Sequence, residues 1–234
     1  MDALARALRD LFRFQVLWVV IWPILVAGLL WLALGITFWS VFSHWIVQGL
    51  STIGIQTWLE GLKPAWVASG VLLLVHLLVF VPLVLMTALT LTALFAMPAL
   101  IRLVAERDYP QLQRKNGGGF VGSLLNALIA LSLFIAIWVL TLPTWLIGVG
   151  VIVPFVASAY LNQRLFRYDA LSEHASRAEM QALFTSNRAS LWGLGLITGL
   201  LQFIPLLNLF APVWAALAFI HFSLSRLEYM RQRA

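Results

Sequence analysis

The sequence contains no cysteine, which excludes disulfides, zinc–thiolate sites, iron–sulfur clusters and cysteine nucleophiles. Charge is also scarce. Charged residues make up 10% of the 234 positions, whereas a soluble domain carries about a quarter. Hydrophobic residues account for 62%. Because such a composition cannot cover a water-exposed surface, we predict an all-α integral membrane protein.

Motifs of known enzyme classes are missing as well. The four histidines show no paired metal spacing, and no glycine loop is followed by a lysine. Ser69-Gly70 with His221 offers the serine and histidine of an intramembrane protease, but Val67 stands where such enzymes need glycine. We predict no enzyme, no cofactor and no metal ion. For His76, inside an apolar run, a neutral hydrogen-bonded state is favoured over a proton-relay role.

Two uncharged runs in the first half predict two long spanning helices. Phe14–Trp39 has 26 residues and predicts a span over 14–39, because about 20 residues cross the hydrocarbon. Pro64–Ile101 has 38 residues, or about 57 Å of helix, and predicts a long tilted span over 65–101. Residues 1–13 predict an interfacial amphipathic helix, with a solvated tail as the alternative. Residues 40–64 predict an external interfacial segment.

The second half predicts two proline-broken helical hairpins between polar belts. These segments complete a single membrane domain over 1–234, and they are a cytoplasmic belt at 102–118, hairpin 1 at 119–161, a second cytoplasmic belt at 162–190, hairpin 2 at 191–225 and a cytoplasmic tail at 226–234. The tip residues beside the breaks are Pro143, Thr144, Pro205, Asn208 and Pro212. Only 14 residues, Leu191–Ile204, precede Pro205, and about 21 Å of helix predicts a hairpin that turns back inside the membrane. For hairpin 1 a full crossing stays open.

Basic residues indicate the orientation. They occur in the N-terminal segment, both belts and the tail, whereas residues 40–64 contain only Lys63. By the positive-inside rule both termini and both belts are predicted to be cytoplasmic. Two spans with two inward-opening hairpins satisfy this rule, and so do six full spans. A single and a dual topology also both stay open.

Three segments carry a resemblance to a known family. They are Leu161–Ala175 (LNQRLFRYDALSEHA), Phe203–Pro212 (FIPLLNLFAP) and the stretch from Met97-Pro98 to Ala105-Glu106. Together they resemble the CysZ family, also called the etoposide-induced membrane-protein family. The resemblance implies two long spanning helices, two partly penetrating hairpins and assembly as homo-oligomers. Bacterial members include inner-membrane sulfate transporters that feed cysteine synthesis.

The resemblance implies a function, but this sequence departs from the family's pattern at one motif. The family's transporters carry a Gly-Leu-Arg motif near the first helix, where this chain reads Asp10-Leu11-Phe12-Arg13, so the arginine has a counterpart and the glycine has none. We predict a bacterial inner-membrane transporter of sulfate or a related oxyanion, supplying sulfur assimilation. The alternative is a non-transporting interaction or scaffold protein of the same family. The predicted partners are the lipid bilayer, the oxyanion and further copies of the chain, without nucleic acid.

Sulfate needs guanidinium or backbone N–H donors to replace its hydration shell. The anion-binding or gating candidates are Arg13, Arg102, Glu106, Arg107, Arg164, Arg167 and Asp169. The spacing of Arg102 and Glu106 predicts a local ion pair, and Asp169 is expected to compete for Arg164 and Arg167. Positive-inside anchoring and structural ion pairing are the alternative role for these residues.

Overall fold

The computed structural model describes residues 2–52, 54–55, 58, 61, 63–146, 148–205 and 207–233. Every regular element in these ranges is helical, which confirms the predicted all-α class. The helices are α1 (Asp2–Leu11), α2 (Phe14–Thr37), α3 (Trp39–Thr52), α4 (Ala65–Asp108), α5 (Phe120–Leu140), α6 (Leu142–Leu146), α7 (Val153–Ser172), α8 (Arg177–Ser186), α9 (Arg188–Leu201) and α10 (Ala211–Gln232), with 3-10 turns at Val149–Ile152 and Leu207–Leu209. Gln56 and Glu60 of the predicted external segment, and Leu206 of the second tip, lie outside the described residues.

Three of these helices are long and apolar enough to cross a membrane, namely Phe14–Thr37, Trp66–Asp108 and Val121–Leu140. Their large apolar side chains point outward; Leu78 is 75% exposed and Leu140 is 78% exposed. In water that exposure would be strongly unfavourable, so lipid is the solvent these helices require. α4 has 44 residues, or about 66 Å of helix, and extends well beyond the ~30 Å hydrocarbon core.

The chain divides into two compact units, and Trp18–Phe95 forms one of them. Within it the Trp31 indole donates to the Thr87 hydroxyl at 2.9 Å. His76 is buried, with Nε2 3.1 Å from the Ser43 hydroxyl and Nδ1 2.7 Å from the Leu72 carbonyl. Its ring stacks on Trp39 at a centroid distance of 4.9 Å. Both ring nitrogens therefore lie within hydrogen-bond distance of a partner, as the structural role predicted for this histidine requires.

The other unit contains Met1–Leu17 and Ala96–Ala234, and α7 lies at its centre. α7 packs against α5, α9 and α10, while α1 packs on α10. The approach of α9 to α7 depends on Gly195, since a Cβ there would lie 2.5 Å from the Ala159 carbonyl oxygen. At Gly199 a Cβ would lie 3.3 Å from the Ala159 nitrogen. Small residues four apart thus allow the two hairpins to pack backbone to backbone.

The two polar belts are joined by backbone hydrogen bonds. Asn116, Gly117 and Gly118 donate to the carbonyls of residues 173, 175 and 172 at 2.8–3.0 Å. A Cβ at Gly117 would collide with the Ala175 carbonyl, so the close approach requires glycine. Glu179, in the capping box that begins α8, accepts from Lys115 at 2.7 Å and from Arg231 at 3.0 Å. The tail of α10 is thereby tied to both belts.

Candidate functional site

A buried ionic cluster joins α1, the end of α4 and α10. We define it as Asp10, Arg13, Arg107, Asp108 and His221. Arg107 Nη2 lies 2.5 Å from Asp10 Oδ2 and 2.6 Å from Asp108 Oδ2. Arg13 Nε and His221 Nε2 each lie 2.9 Å from an Asp10 oxygen. Burial raises the pKa of Asp10, but the hydrogen bonds from Arg107 and His221 outweigh it and hold that pKa below its usual value. Asp10 is therefore an anion fixed by three partners.

The buried ionic cluster contains residue types that bind metal cations, but the negative charge that would attract a cation is already balanced by arginines. Asp10, Asp108 and His221 each offer a ligand atom within 4.8 Å of the others. However, Arg107 already contacts both carboxylates, and Arg13 supplies a second guanidinium. Two carboxylates and two guanidiniums balance, so a divalent cation would have to displace an arginine. We therefore assign this cluster a structural role: its ion pairs hold α1, the end of α4 and α10 together, and the carboxylates neutralise Arg13 and Arg107.

The predicted ion pair between Arg102 and Glu106 is not formed, and this prediction was wrong. Glu106 Oε1 lies 3.6 Å from Arg114 Nη2 instead, and its side chain is 72% exposed. Arg102 is also exposed and makes no ion pair within the described part of the chain. At the water-facing end of α4 solvation competes with a local pair, so spacing of four residues alone does not bring the groups together.

Three arginines form a second charged group, which we call the arginine cluster. Arg164 and Arg167 lie one turn apart on α7, and Arg188 is the first residue of α9. Burial lowers the pKa of Arg167, and the positive charges of Arg164 and Arg188 lower it further, so both lie within electrostatic reach of Arg167. In the described ranges no carboxylate lies within 4.0 Å of any of them. Their positive charge is uncompensated.

The arginines of this cluster are held by uncharged partners. The Arg167 guanidinium carbon lies 4.6 Å from the centre of the Phe184 ring. Arg164 Nε donates to Asn126 Oδ1 at 3.1 Å, and Asn126 donates back to the Arg164 carbonyl at 3.0 Å. A cation–π contact and a neutral amide position guanidiniums without cancelling their charge. Most N–H donors of Arg164 and Arg167 therefore stay available to an anion.

Asp169 does not compete for the arginine cluster, contrary to expectation. It forms no ion pair with Arg164 or Arg167 in the described structure. Burial raises the pKa of Asp169, and its Oδ1 has no hydrogen-bond partner among the described residues. The reason is helical geometry: two residues along α7 turn the side chain about 200° away from that of Arg167.

The hairpin tips are largely satisfied by their own backbone. The hydroxyl of Thr144, beside Pro143, donates to the Thr141 carbonyl at 2.6 Å. Asn208 N–H donates to Ile204 at 3.0 Å across the turn that contains Pro205, and Pro212 lies in the first turn of α10. Pro143 lies inside the short helix α6. These residues lie in the short helical turns of the tips, and none of their hydrogen bonds described here involves a candidate arginine.

Three polar residues of this region were not among the predicted site residues. Arg188 completes the arginine cluster, while Asn162 and Gln163 are buried within α7, 6% and 3% exposed. A helical projection of α7 would have flagged Tyr160, Gln163, Arg164 and Arg167 as one polar face in an apolar hairpin. Arg188 carried no such signal, because its proximity depends on how α9 packs.

Searches of curated proteins and of solved structures returned no match. Residues 3–212 match the family model described as Sulfate transporter CysZ/Etoposide-induced protein 2.4. The match includes the arginine cluster, both hairpin tips, and every member of the buried ionic cluster except His221. Since it extends over most of the 234 residues, the chain belongs to the Sulfate transporter CysZ/Etoposide-induced protein 2.4 family.

Proposed function

We propose that this protein carries sulfate, or a closely related oxyanion, across the bacterial inner membrane as a homo-oligomer, supplying sulfur assimilation. The arginine cluster is the first contact on the cytoplasmic face. One observation carries the proposal: the positive charges of Arg164 and Arg188 both act on Arg167, and none of the three arginines has a carboxylate partner among the described residues. Arg164 and Arg167 are half-buried, and a half-buried guanidinium without a carboxylate is stabilised when it binds an anion.

The chemistry of the cluster suits a tetrahedral dianion. A guanidinium presents planar N–H pairs that bind two oxyanion oxygens at once. α9 begins at Arg188, and its N-cap residue, Asn187, makes no side-chain cap, so the first backbone N–H groups add partial positive charge. The buried ionic cluster cannot perform this role, because its arginines are neutralised by Asp10 and Asp108.

Uptake of radiolabelled sulfate into vesicles, normalised to inserted protein, tests the proposal. Arg167→Gln should lower uptake about tenfold or more, because a charge-assisted contact contributes roughly 1.5–3 kcal/mol. Arg167→Lys should restore only part of it, since lysine lacks the planar fork. Arg9→Gln, an exposed arginine on α1, is the matched control and should transport normally.

The outcomes separate two failures. Wild-type uptake no greater than that of empty vesicles would reject transport of this substrate and favour a non-transporting scaffold. Normal uptake by Arg167→Gln would reject only the assignment of the arginine cluster. Thiosulfate, selenate and phosphate as competitors identify which oxyanion is preferred.

A further inference from the structure

α7 carries buried polar side chains beyond the arginine cluster, on the side of the hairpin tip. Asn162 and Gln163 are more than nine-tenths buried, although α7 packs mainly among apolar helices. Asn162 lies five residues before Arg167, or about 7.5 Å along the helix. Gln163 faces α9, where a Cβ built on Gly195 would lie 2.9 Å from the Gln163 Cβ. Gln163 therefore continues the polar face of the arginines inward, whereas Asn162, about 140° around α7 from Arg167, faces Gln202 of the second hairpin.

Several polar atoms in this part of α7 have no hydrogen-bond partner among the described residues. They are Asn162 Nδ2, Gln163 Oε1 and the Tyr160 hydroxyl. A buried donor or acceptor without a partner costs about 1–3 kcal/mol. Native proteins retain such groups rarely, and a ligand that they bind is one of the physical explanations.

The second hairpin reaches the same place. Gln202, at the C-cap of α9, donates through Nε2 to Asn162 Oδ1 at 3.3 Å. This leaves the Asn162 amide oriented with its oxygen satisfied and its N–H₂ unsatisfied. The Thr198 hydroxyl, by contrast, is fully buried and bonds the Leu194 carbonyl of its own helix at 2.8 Å. The Asn162 N–H₂ group is therefore a donor without an acceptor at this contact, whereas the Thr198 hydroxyl has one.

We propose that Asn162 and Gln202 form an inner oxyanion subsite between the two hairpins, one step beyond the arginine cluster. This inference rests on the proposed transport function and names where the ion is held after it leaves the arginines. Carboxamide N–H groups donate to oxyanion oxygens but carry no charge, so they bind more weakly than guanidiniums and release more readily. Turning the Gln163 amide over would add a further donor.

The experiment compares transport kinetics of variants that alter the amide donors. Asn162→Leu should raise the KM for sulfate about tenfold with a smaller change in maximal rate. Asn162→Asp, which keeps the shape but adds negative charge, should reduce uptake to the level of empty vesicles. Thr198→Val is the matched control on the same helix contact and should leave KM unchanged. A role confined to helix packing would lower the amount of inserted protein without raising KM.

A second measurement tests the subsite in case the Asn162 variants do not insert into the membrane. The chain has no cysteine, so Gln202→Cys provides a single thiol at the subsite. Sulfate should slow its labelling by a small thiol reagent at least threefold, whereas chloride at equal ionic strength should not. An unchanged KM in Asn162→Leu, or labelling of Gln202→Cys that sulfate does not slow, would overturn the subsite. Wild-type vesicles that take up no sulfate would instead reject the proposed function.

Discussion

At the scale of single residues, Glu179 is the carboxylate whose ionisation the structure links most directly to stability. The hydrogen bond from Arg231 lowers its pKa far below the usual value, and Lys115 adds to this. A carboxyl group with a depressed folded-state pKa stabilises the protein above its unfolded pKa, about 4.3, and loses that contribution as the pH falls toward the folded value. The interaction should therefore contribute fully at neutral pH.

We predict that Glu179→Gln lowers the melting temperature in detergent by several degrees at pH 7. The difference from wild type should shrink as the pH falls below about 4, because the carboxyl of the unfolded chain then binds a proton that the folded protein does not. Thermal unfolding between pH 3 and pH 8 is the measurement. Glu106→Gln is the control, since that carboxylate is mostly exposed and its pair with Arg114 contributes roughly 0–1 kcal/mol. A difference that grows toward acid would contradict the assignment.

The residue scale is also where sequence reasoning was least reliable. It predicted Arg164 and Arg167 as candidates, because they are arginines that flank an apolar segment, and their role stays a prediction. The sequence analysis predicted that Glu106 pairs with Arg102 and that Asp169 competes for Arg164 and Arg167. Both predictions rest on closeness along the chain, because a sequence shows no other kind of proximity. The structure pairs Glu106 with Arg114, and in the described ranges Asp169 forms no ion pair with either arginine. Partner choice depends on helix faces and on packing between helices, which spacing does not contain.

At the scale of elements, hairpin 2 tests whether helix length decides membrane crossing. α9 has 14 residues, or about 21 Å, against a hydrocarbon core of ~30 Å. We predict that a cysteine at Asn208 is protected from impermeant thiol reagents added outside intact cells. Ser51→Cys, exposed on α3 in the predicted external segment, is the positive control and should be labelled. Ready labelling at Asn208 from outside would contradict the re-entrant hairpin.

Elements were more predictable than side-chain partners. Uncharged runs and proline positions marked the long helices and the hairpins, because lipid requires continuous apolar helix and proline interrupts it. The sequence did not predict where α4 ends. The predicted span stops at 101, whereas the helix continues to Asp108. Charged residues end a membrane span but not a helix, and in Arg102–Asp108 the charged side chains are exposed or paired with other charges while Val104 and Ala105 are buried. The helix ends there because Pro110 follows closely.

At the scale of the whole molecule, the packing of α1 on α10 bears on orientation. Both helices belong to one compact unit, and Asp10 on α1 is bonded to His221 on α10. We predict that fluorescent-protein fusions at either end of the chain are cytoplasmic and fluoresce, because the positive-inside rule places that side inside. Alkaline phosphatase fused at the same ends should be inactive, and phosphatase fused after Ser51 should be active. Opposite sides for the two ends would contradict the packing.

The docking of α1 on α10 also constrains how the protein is made. Asp10 and His221 are separated by 211 positions, so Asp10 leaves the ribosome long before its histidine partner is synthesised. At about 5–20 residues per second the interval is roughly 10–40 seconds. During that time α1 must wait at the membrane surface, where its basic side chains and exposed Leu8 and Phe12 can hold it against lipid headgroups. Until α10 is made, Asp10 has only Arg13 and Arg107 as partners, so the cluster is completed by the last helix of the chain.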